Sequence, residues 1–289
     1  MKLTPEQCEL LPTDDDVEFY RQHGYYISKK IFTDEEIDDA LYGSDRFYAG
    51  ERDFLLPPSV KPFEGWKPED GDVLRINDYV SLQNNELSAL VRHPLLGAIA
   101  ARLCGTDAVR LWHDQMIFKP TDASGDQTGI GWHTDRAYWQ TCSSDEMLTA
   151  WIPFHDCDEE RGTLMFIEGS HRWDHPEELK GFHTTDPRVL ESRVGNYGKE
   201  VVKTPMLLEK GQVSFHHCRT IHGSDPNRSV QPRRSISLHY QDGLNRYRKQ
   251  LTANGDVVWH RNDILCRSNN GQPDYTDPDF CPVLWSAAA

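Results

Sequence analysis

The short pattern His133-Thr134-Asp135, answered far along the chain by His222 and then by Arg233, is the strongest constraint in this sequence. Residues two apart on a β-strand point to the same face. A histidine and an aspartate so placed, joined by a histidine from a distant strand, complete a two-histidine, one-carboxylate face around a metal ion. The fold must therefore bring distant strands to one point. That ligand set leaves the opposite coordination positions open and marks non-haem Fe(II) oxygenases. Arg233, eleven positions past the last ligand (233 − 222 = 11), adds a planar fork suited to a carboxylate. A metal face with a carboxylate clamp reads as iron with a 2-oxoacid co-substrate.

The surrounding pattern supplies strands for these residues. Trp132 before the motif, and Ala137-Tyr138-Trp139 after it, give aromatic strand character. Gly211-Gln212 reads as a turn, Val213-Ser214-Phe215 as a strand and Ile221-His222-Gly223-Ser224 as its exit. Arg234 to Tyr240 alternates polar and apolar, as a half-buried strand does. His222 and Arg233 are then expected on neighbouring strands joined by the turn-rich Asp225-Pro226-Asn227-Arg228. Upstream, Thr13 and three aspartates begin a helix that stops at Gly24, Tyr25 to Ser28 form a short strand, and Thr33 with Glu36 caps the next helix. Residues 50–72, rich in proline and glycine, form a loop expected to act as a lid beside the site. Asn84 to Cys104 is helical, interrupted at Pro94 and closed by Gly105. The aromatic end Phe280 to Trp285 is expected to dock on the core.

Several residues compete for these roles. His216 and His217 lie close to His222, and their place in Phe215-His216-His217-Cys218 suits strand-end packing or a substrate-facing position. Arg234 is the rival to Arg233, and alternation puts the two on opposite faces. Gln115, on the strand from His113 to Lys119, and Thr149, on a shared face with Trp151, could look into the co-substrate pocket. Lys119 itself is expected to be a solvated strand-end lysine, and Trp139 a wall of the substrate pocket.

Lys119-Pro120, His133-Thr134-Asp135, Ala150-Trp151, Gly162-Thr163-Leu164-Met165, Gly169-Ser170-His171, His222-Gly223-Ser224 and Arg233 occur in an order that resembles the phytanoyl-CoA dioxygenase family, which includes ectoine hydroxylase. The likeness covers most of the chain and is strongest over residues 113–240. Gln212 departs from it, since the family often has aspartate after that glycine. The resemblance implies a mainly β fold, a double-stranded β-helix (jelly-roll, cupin-like) core over about 108–242 with flanking α-helices, in one domain spanning 1–289. It implies Fe(II) on His133, Asp135 and His222, with 2-oxoglutarate and O2 as co-substrates. Arg233 would pair with the far carboxylate of 2-oxoglutarate, and Trp151 and Ser224 would line its site. His171 would sit in a structural turn without binding metal. The implied reaction oxidises a C–H bond of a small molecule, by hydroxylation in the first place, with succinate and CO2 as co-products. Halogenating members lack the carboxylate ligand that Asp135 provides. A cupin-type metalloenzyme that does not use 2-oxoglutarate, and a non-catalytic jelly-roll binding protein, are the alternative readings.

Composition narrows the partners. Forty-six acidic against 31 basic residues give a formal charge of −15, which disfavours nucleic acid and anionic membranes and makes a polyanionic acyl-CoA a poor fit. No stretch is expected to reach the roughly 20 apolar residues of a membrane span, and the first residues carry no apolar signal region, so cytoplasmic residence is expected. Seven cysteines without a Cys-x-x-Cys pair suit reduced thiols rather than a zinc site or disulfide framework. A small molecule remains as the expected partner.

Overall fold

Three threonines organise the N-terminal part. Thr4, Thr13 and Thr33 each cap a helix in a reciprocal box with Gln7, Asp16 and Glu36, which satisfies backbone N–H groups that the first turn leaves unpaired. They start α1 (Pro5–Cys8), α2 (Asp14–His23) and α3 (Asp34–Tyr48). Gly24, at φ 82°, ends α2 in the left-handed conformation and turns the chain into β1 (Tyr25–Ile27). The computed structural model describes residues 2–58, 65–122, 128–174, 179–183, 192, 195 and 197–287.

Two antiparallel sheets make the core. The remaining strands are β2 (Arg75–Asp78), β3 (Ala108–Lys119), β4 (Ile130–His133), β5 (Leu148–Pro153), β6 (Leu164–Ile167), β7 (Lys203–Pro205), β8 (Ser214–His217), β9 (His222–Ser224), β10 (Arg233–Asp242), the pair β11 (Ser268–Asn269) and β12 (Gln272–Pro273), and β13 (Val283–Ser286). Among the described residues one sheet runs β1-β8-β5-β10-β3-β13 with β2 also on β3, and the other runs β4-β9-β6-β7. This is the jelly-roll-like arrangement expected from the sequence, with helices added. One expectation changes: His222 and Arg233 are consecutive in strand order but lie in different sheets. The Asp225–Arg228 turn carries the chain from one sheet to the other, which lets residues eleven apart approach one cavity from opposite sides.

Alternation on β10 divides the large sheet into two faces. Ile236, Leu238 and Tyr240 join Leu148, Ala150, Ile152 and Phe215 in an apolar cluster with the helices, while Arg233, Ser235, Ser237 and His239 face the other sheet. The helices α4 (Asn85–Val91) and α5 (Pro94–Cys104) cover that apolar face. Asn85 to Cys104 is, against the sequence expectation, long and apolar enough by length and composition to span a membrane, but 61% of its apolar window is buried inside the fold. Its hydrophobicity belongs to the core. The cysteines are free thiols.

The aromatic end docks as expected. β13 pairs with β3, placing Val283 opposite Arg110, and Leu284 is buried in the main cluster. Gly97 of α5 permits this contact, because a Cβ there would stand 2.7 Å from the Leu284 carbonyl oxygen and 2.9 Å from the Trp285 Cβ. Overpacking of this kind costs about 1–3 kcal/mol. Gly97→Ala should therefore lower the urea midpoint of unfolding; an unchanged midpoint would show that β13 is not seated on α5.

Candidate metal centre

His133 is the last residue of β4, and Asp135 opens a short 3-10 turn. Thr134 between them stays extended (φ −116°, ψ 146°), and its hydroxyl accepts from the Ala137 N–H at 3.3 Å. The two-residue alternation thus carries Asp135 to the side of His133 after the strand has ended. His222 opens β9 and is paired in register with His133. Asp135 Oδ1 lies 3.9 Å from His133 Nε2 and 3.6 Å from His222 Nε2. The three donor atoms fall within 4.8 Å of one another and all three side chains are buried.

The ring orientations are fixed behind the site. His133 Nδ1 is 2.8 Å from the Gly131 carbonyl, and His222 Nδ1 is 2.9 Å from that of Thr220. A carbonyl only accepts, so each Nδ1 carries the proton and each Nε2 presents a lone pair. Ser170 supports this strand by accepting from the Ile221 N–H at 2.8 Å. His171, three residues into the same turn motif, is bonded to the Arg21 carbonyl at 3.0 Å and stands outside the triad.

Asp135 uses its second oxygen differently. Oδ2 accepts from the Thr149 hydroxyl at 2.5 Å and lies 3.2 Å from His216 Nε2. Burial opposes its ionisation, but the surrounding histidines, His222 first, outweigh that and hold its carboxyl well below the usual range. Burial lowers His133 and drives His222 well below the ordinary imidazole value, with His133 adding to the effect on His222. Neutral imidazoles beside a carboxylate are the protonation states that a divalent cation needs.

A second feature lies deeper. Arg233 is fully buried. Its Nη1 donates to the Gly162 carbonyl at 3.0 Å, and its guanidinium sits 5.4 Å from the centre of the Trp151 ring. Its Nε and Nη2 have no hydrogen-bond partner, nor has Trp151 Nε1. Gly162 is required there, because φ is +67° and a Cβ would stand 2.5 Å from the Asp225 carbonyl oxygen. Arg234 points the other way and pairs with Asp45, as strand alternation demands.

A small inner cavity joins the two features and is lined by Gln115, Thr149, Trp151, His216, Arg233 and the triad, among others. A larger cavity of about 410 Å³ opens outward from His133 and Asp135 past Trp139, Tyr138 and Phe182. Trp139 lines the outer cavity. His216, expected there, stands instead against Asp135 on the inner side. Gln115 borders both cavities. No described residue of the 50–72 stretch lines either cavity, and residues 59–64 of that expected lid lie outside the described residues.

Lys119 corrects the sequence reading. It is fully buried, and its ammonium donates to Ser224 Oγ at 2.7 Å and to the Asp225 carbonyl at 2.6 Å. Burial and the neighbouring Arg233 push its pKa well below the usual lysine value. Ser224 is thereby bound to Lys119 rather than free. Sequence reading did not assign His239 and His113 to the site, nor Asp78, Phe182, Trp259 and Arg261, which also line the outer cavity. For His239 and His113 the signal was present: they extend the alternating faces of Arg233-Ser235-Ser237 and Lys119-Ile117-Gln115 and are register partners.

Comparison with known proteins places this geometry. The chain matches the family model described as phytanoyl-CoA dioxygenase over residues 20–235. It is 24% identical over 234 residues to the peroxisomal phytanoyl-CoA dioxygenase of Rattus norvegicus, covering 77% of this chain and 66% of that protein. The chain thus spans just under two thirds of that curated relative's length. It is 27% identical over 242 residues to the ectoine dioxygenase of Bordetella bronchiseptica, covering 78% of this chain and 74% of that protein. Among solved structures, the non-heme alpha-ketoglutarate-dependent carbocyclase SnoK from nogalamycin biosynthesis aligns with a TM-score of 0.69 at 21% identity, over 94% of this chain and 96% of that one. That likeness establishes a shared fold.

Metal binding tests the centre directly. His133→Ala and His222→Ala should each lose stoichiometric Fe(II) in anaerobic equilibrium dialysis, while His217→Ala retains it. Thr149→Val, which removes the donor to Asp135, should weaken binding roughly 10–100-fold. Full retention of iron by either ligand variant would remove that residue from the centre.

Proposed function

The chain belongs to the phytanoyl-CoA dioxygenase family, and from that premise we propose that it is a non-haem Fe(II)- and 2-oxoglutarate-dependent dioxygenase. It oxidises a C–H bond of a small-molecule metabolite, by hydroxylation as the simplest outcome. The observation that carries this reading is Arg233, buried with two unpaired N–H groups in a cavity that leads to the triad. A buried guanidinium left without partners is costly. A dicarboxylate bound between the triad and Arg233 would supply acceptors for both at once, and a charge-assisted bidentate pair is the strongest way to do so. A cupin-type enzyme without a co-substrate leaves that clamp unexplained.

Fe(II) with 2-oxoglutarate supplies the oxidising power, drawing on O2 and releasing succinate and CO2. The chain does the rest. His133, His222 and Asp135 Oδ1 would hold the metal, while Thr149 and His216 engage Asp135 Oδ2. Trp151 and Gly162 fix the plane of the Arg233 guanidinium. Tyr138, Trp139 and Phe182 give the outer cavity an apolar wall that excludes water around the reacting carbon. A cavity of about 410 Å³ suits a metabolite, and the charge of −15 supports a soluble small molecule over an acyl-CoA.

Anaerobic addition of Fe(II) and 2-oxoglutarate should produce the weak visible charge-transfer band of the chelate, and oxygen should then give succinate in step with an oxidised product. Removing iron with a chelator should stop both. Arg233→Leu should raise the 2-oxoglutarate requirement steeply, since losing a buried charged partner costs about 2–5 kcal/mol; Arg234→Leu should be mild. Absence of the band in the iron-loaded protein, or equal effects of the two arginine variants, would overturn the assignment.

A further inference from the structure

The outer cavity has an orientation of its own. Thr149 Oγ1 stands 2.5 Å from Asp135 Oδ2 and 2.7 Å from His239 Nδ1. A hydroxyl has one proton, and an ionised carboxylate only accepts. Thr149 therefore donates to Asp135 and accepts from His239, so His239 carries its proton on Nδ1. His239 lines the cavity with its Nδ1 already committed to Thr149. Gln115 is set in the same way, because its Nε2 donates to Asp78 Oδ1 at 2.8 Å and leaves its Oε1 as an acceptor. Asp78, almost wholly buried, adds a carboxylate.

Cations on this wall are already engaged. Among the described residues lining the cavity, Arg261 is the one arginine or lysine, and it is ion-paired with Asp78. His113, buried beside His239 with ring centres 4.2 Å apart, has an unpaired Nδ1. Tyr138, Trp139 and Trp259 add aromatic side chains to the cavity lining, Trp139 edge-to-face with His239 at 4.9 Å between ring centres, and aromatic rings attract an organic cation. The chain's charge of −15 draws cations toward the opening.

We infer that the substrate presents a protonated amino group, and not a carboxylate or phosphate, to the wall formed by Asp78, Gln115 and His239. The ammonium donates to Gln115 Oε1 and to the Asp78 carboxylate beside Arg261, with the aromatic side chains of the cavity around it. This inference deepens the proposed oxygenase reading and rests on it.

Three ligands of one size separate the cases: benzylamine, benzyl alcohol and benzoate, titrated calorimetrically into the anaerobic protein loaded with Fe(II) and 2-oxoglutarate. The chelate band verifies loading beforehand. Benzylamine should bind about tenfold more tightly than benzyl alcohol, the worth of a charge-assisted hydrogen bond, and benzoate should bind most weakly. Asp78→Asn should erase the preference for the amine and improve benzoate binding, because Arg261 loses its counter-ion. Arg261→Gln should keep the amine preference. Benzoate binding at least as tight as benzylamine, no binding of benzylamine, or an unaltered order in Asp78→Asn overturns the inference. A missing chelate band instead sinks the oxygenase reading, and the same titration on the metal-free protein then decides the amine wall by itself.

Discussion

Asp135 ties the two sheets to one point. Its Oδ1 faces His133 and His222, which come from the four-stranded sheet, and its Oδ2 is held by Thr149 and His216, which come from the larger one. A buried carboxylate is expensive unless it is hydrogen-bonded and compensated. Here the compensation comes from both layers, so the position of the carboxylate reports how the sheets face each other. Any shift of one sheet against the other separates the ligands or strands the charge.

The register of the large sheet then grades the interior from one end to the other. On β3 and β10, Lys119 lies opposite Arg233, Gln115 opposite Ser237, and His113 opposite His239. Across the sheet, His216, Thr149, His239 and His113 form a single row through β8, β5, β10 and β3. The end with Lys119 and Arg233 is cationic and closed. The end with His113 and His239 consists of neutral rings: burial lowers His239 to about 4 and His113 well below the usual value. One face of one sheet thus carries buried cationic side chains at one end and a pair of histidines at the other. Strand alternation keeps this polar face separate from the apolar face that packs the helices.

How far the sequence reached depends on range. Caps, the Gly24 and Gly105 helix ends, strand alternation and the His133-Thr134-Asp135 half of the triad were legible because each rests on residues a few positions apart, whereas His222 was singled out by the order of motifs along the chain. The two-residue period of a strand put Arg233 and Arg234 on opposite faces, and the spacing from His222 with the family resemblance chose Arg233. Lys119 misled because a lysine at a strand end is normally solvated; its burial depends on Ser224 and the Asp225 carbonyl, which arrive from more than a hundred residues away. His239 and His113 carried the right alternation, but nothing local says that a histidine on an inward face is a pocket wall rather than core.

By itself the sequence determined the kinds of chemistry: a two-histidine, one-carboxylate ligand set, an arginine fork, an acidic chain and strands with one polar face. Those follow from side-chain identity and short-range periodicity, which backbone geometry fixes wherever the strands end up. The tertiary structure decided which groups are satisfied and which are left open. Only sheet-on-sheet packing leaves Arg233 with two unpaired N–H groups, divides Asp135 between metal and support, and ties Arg261 to Asp78 from the far end of the chain. Hydrogen-bond satisfaction in a dry interior is a property of the whole contact set, and no window of sequence contains it.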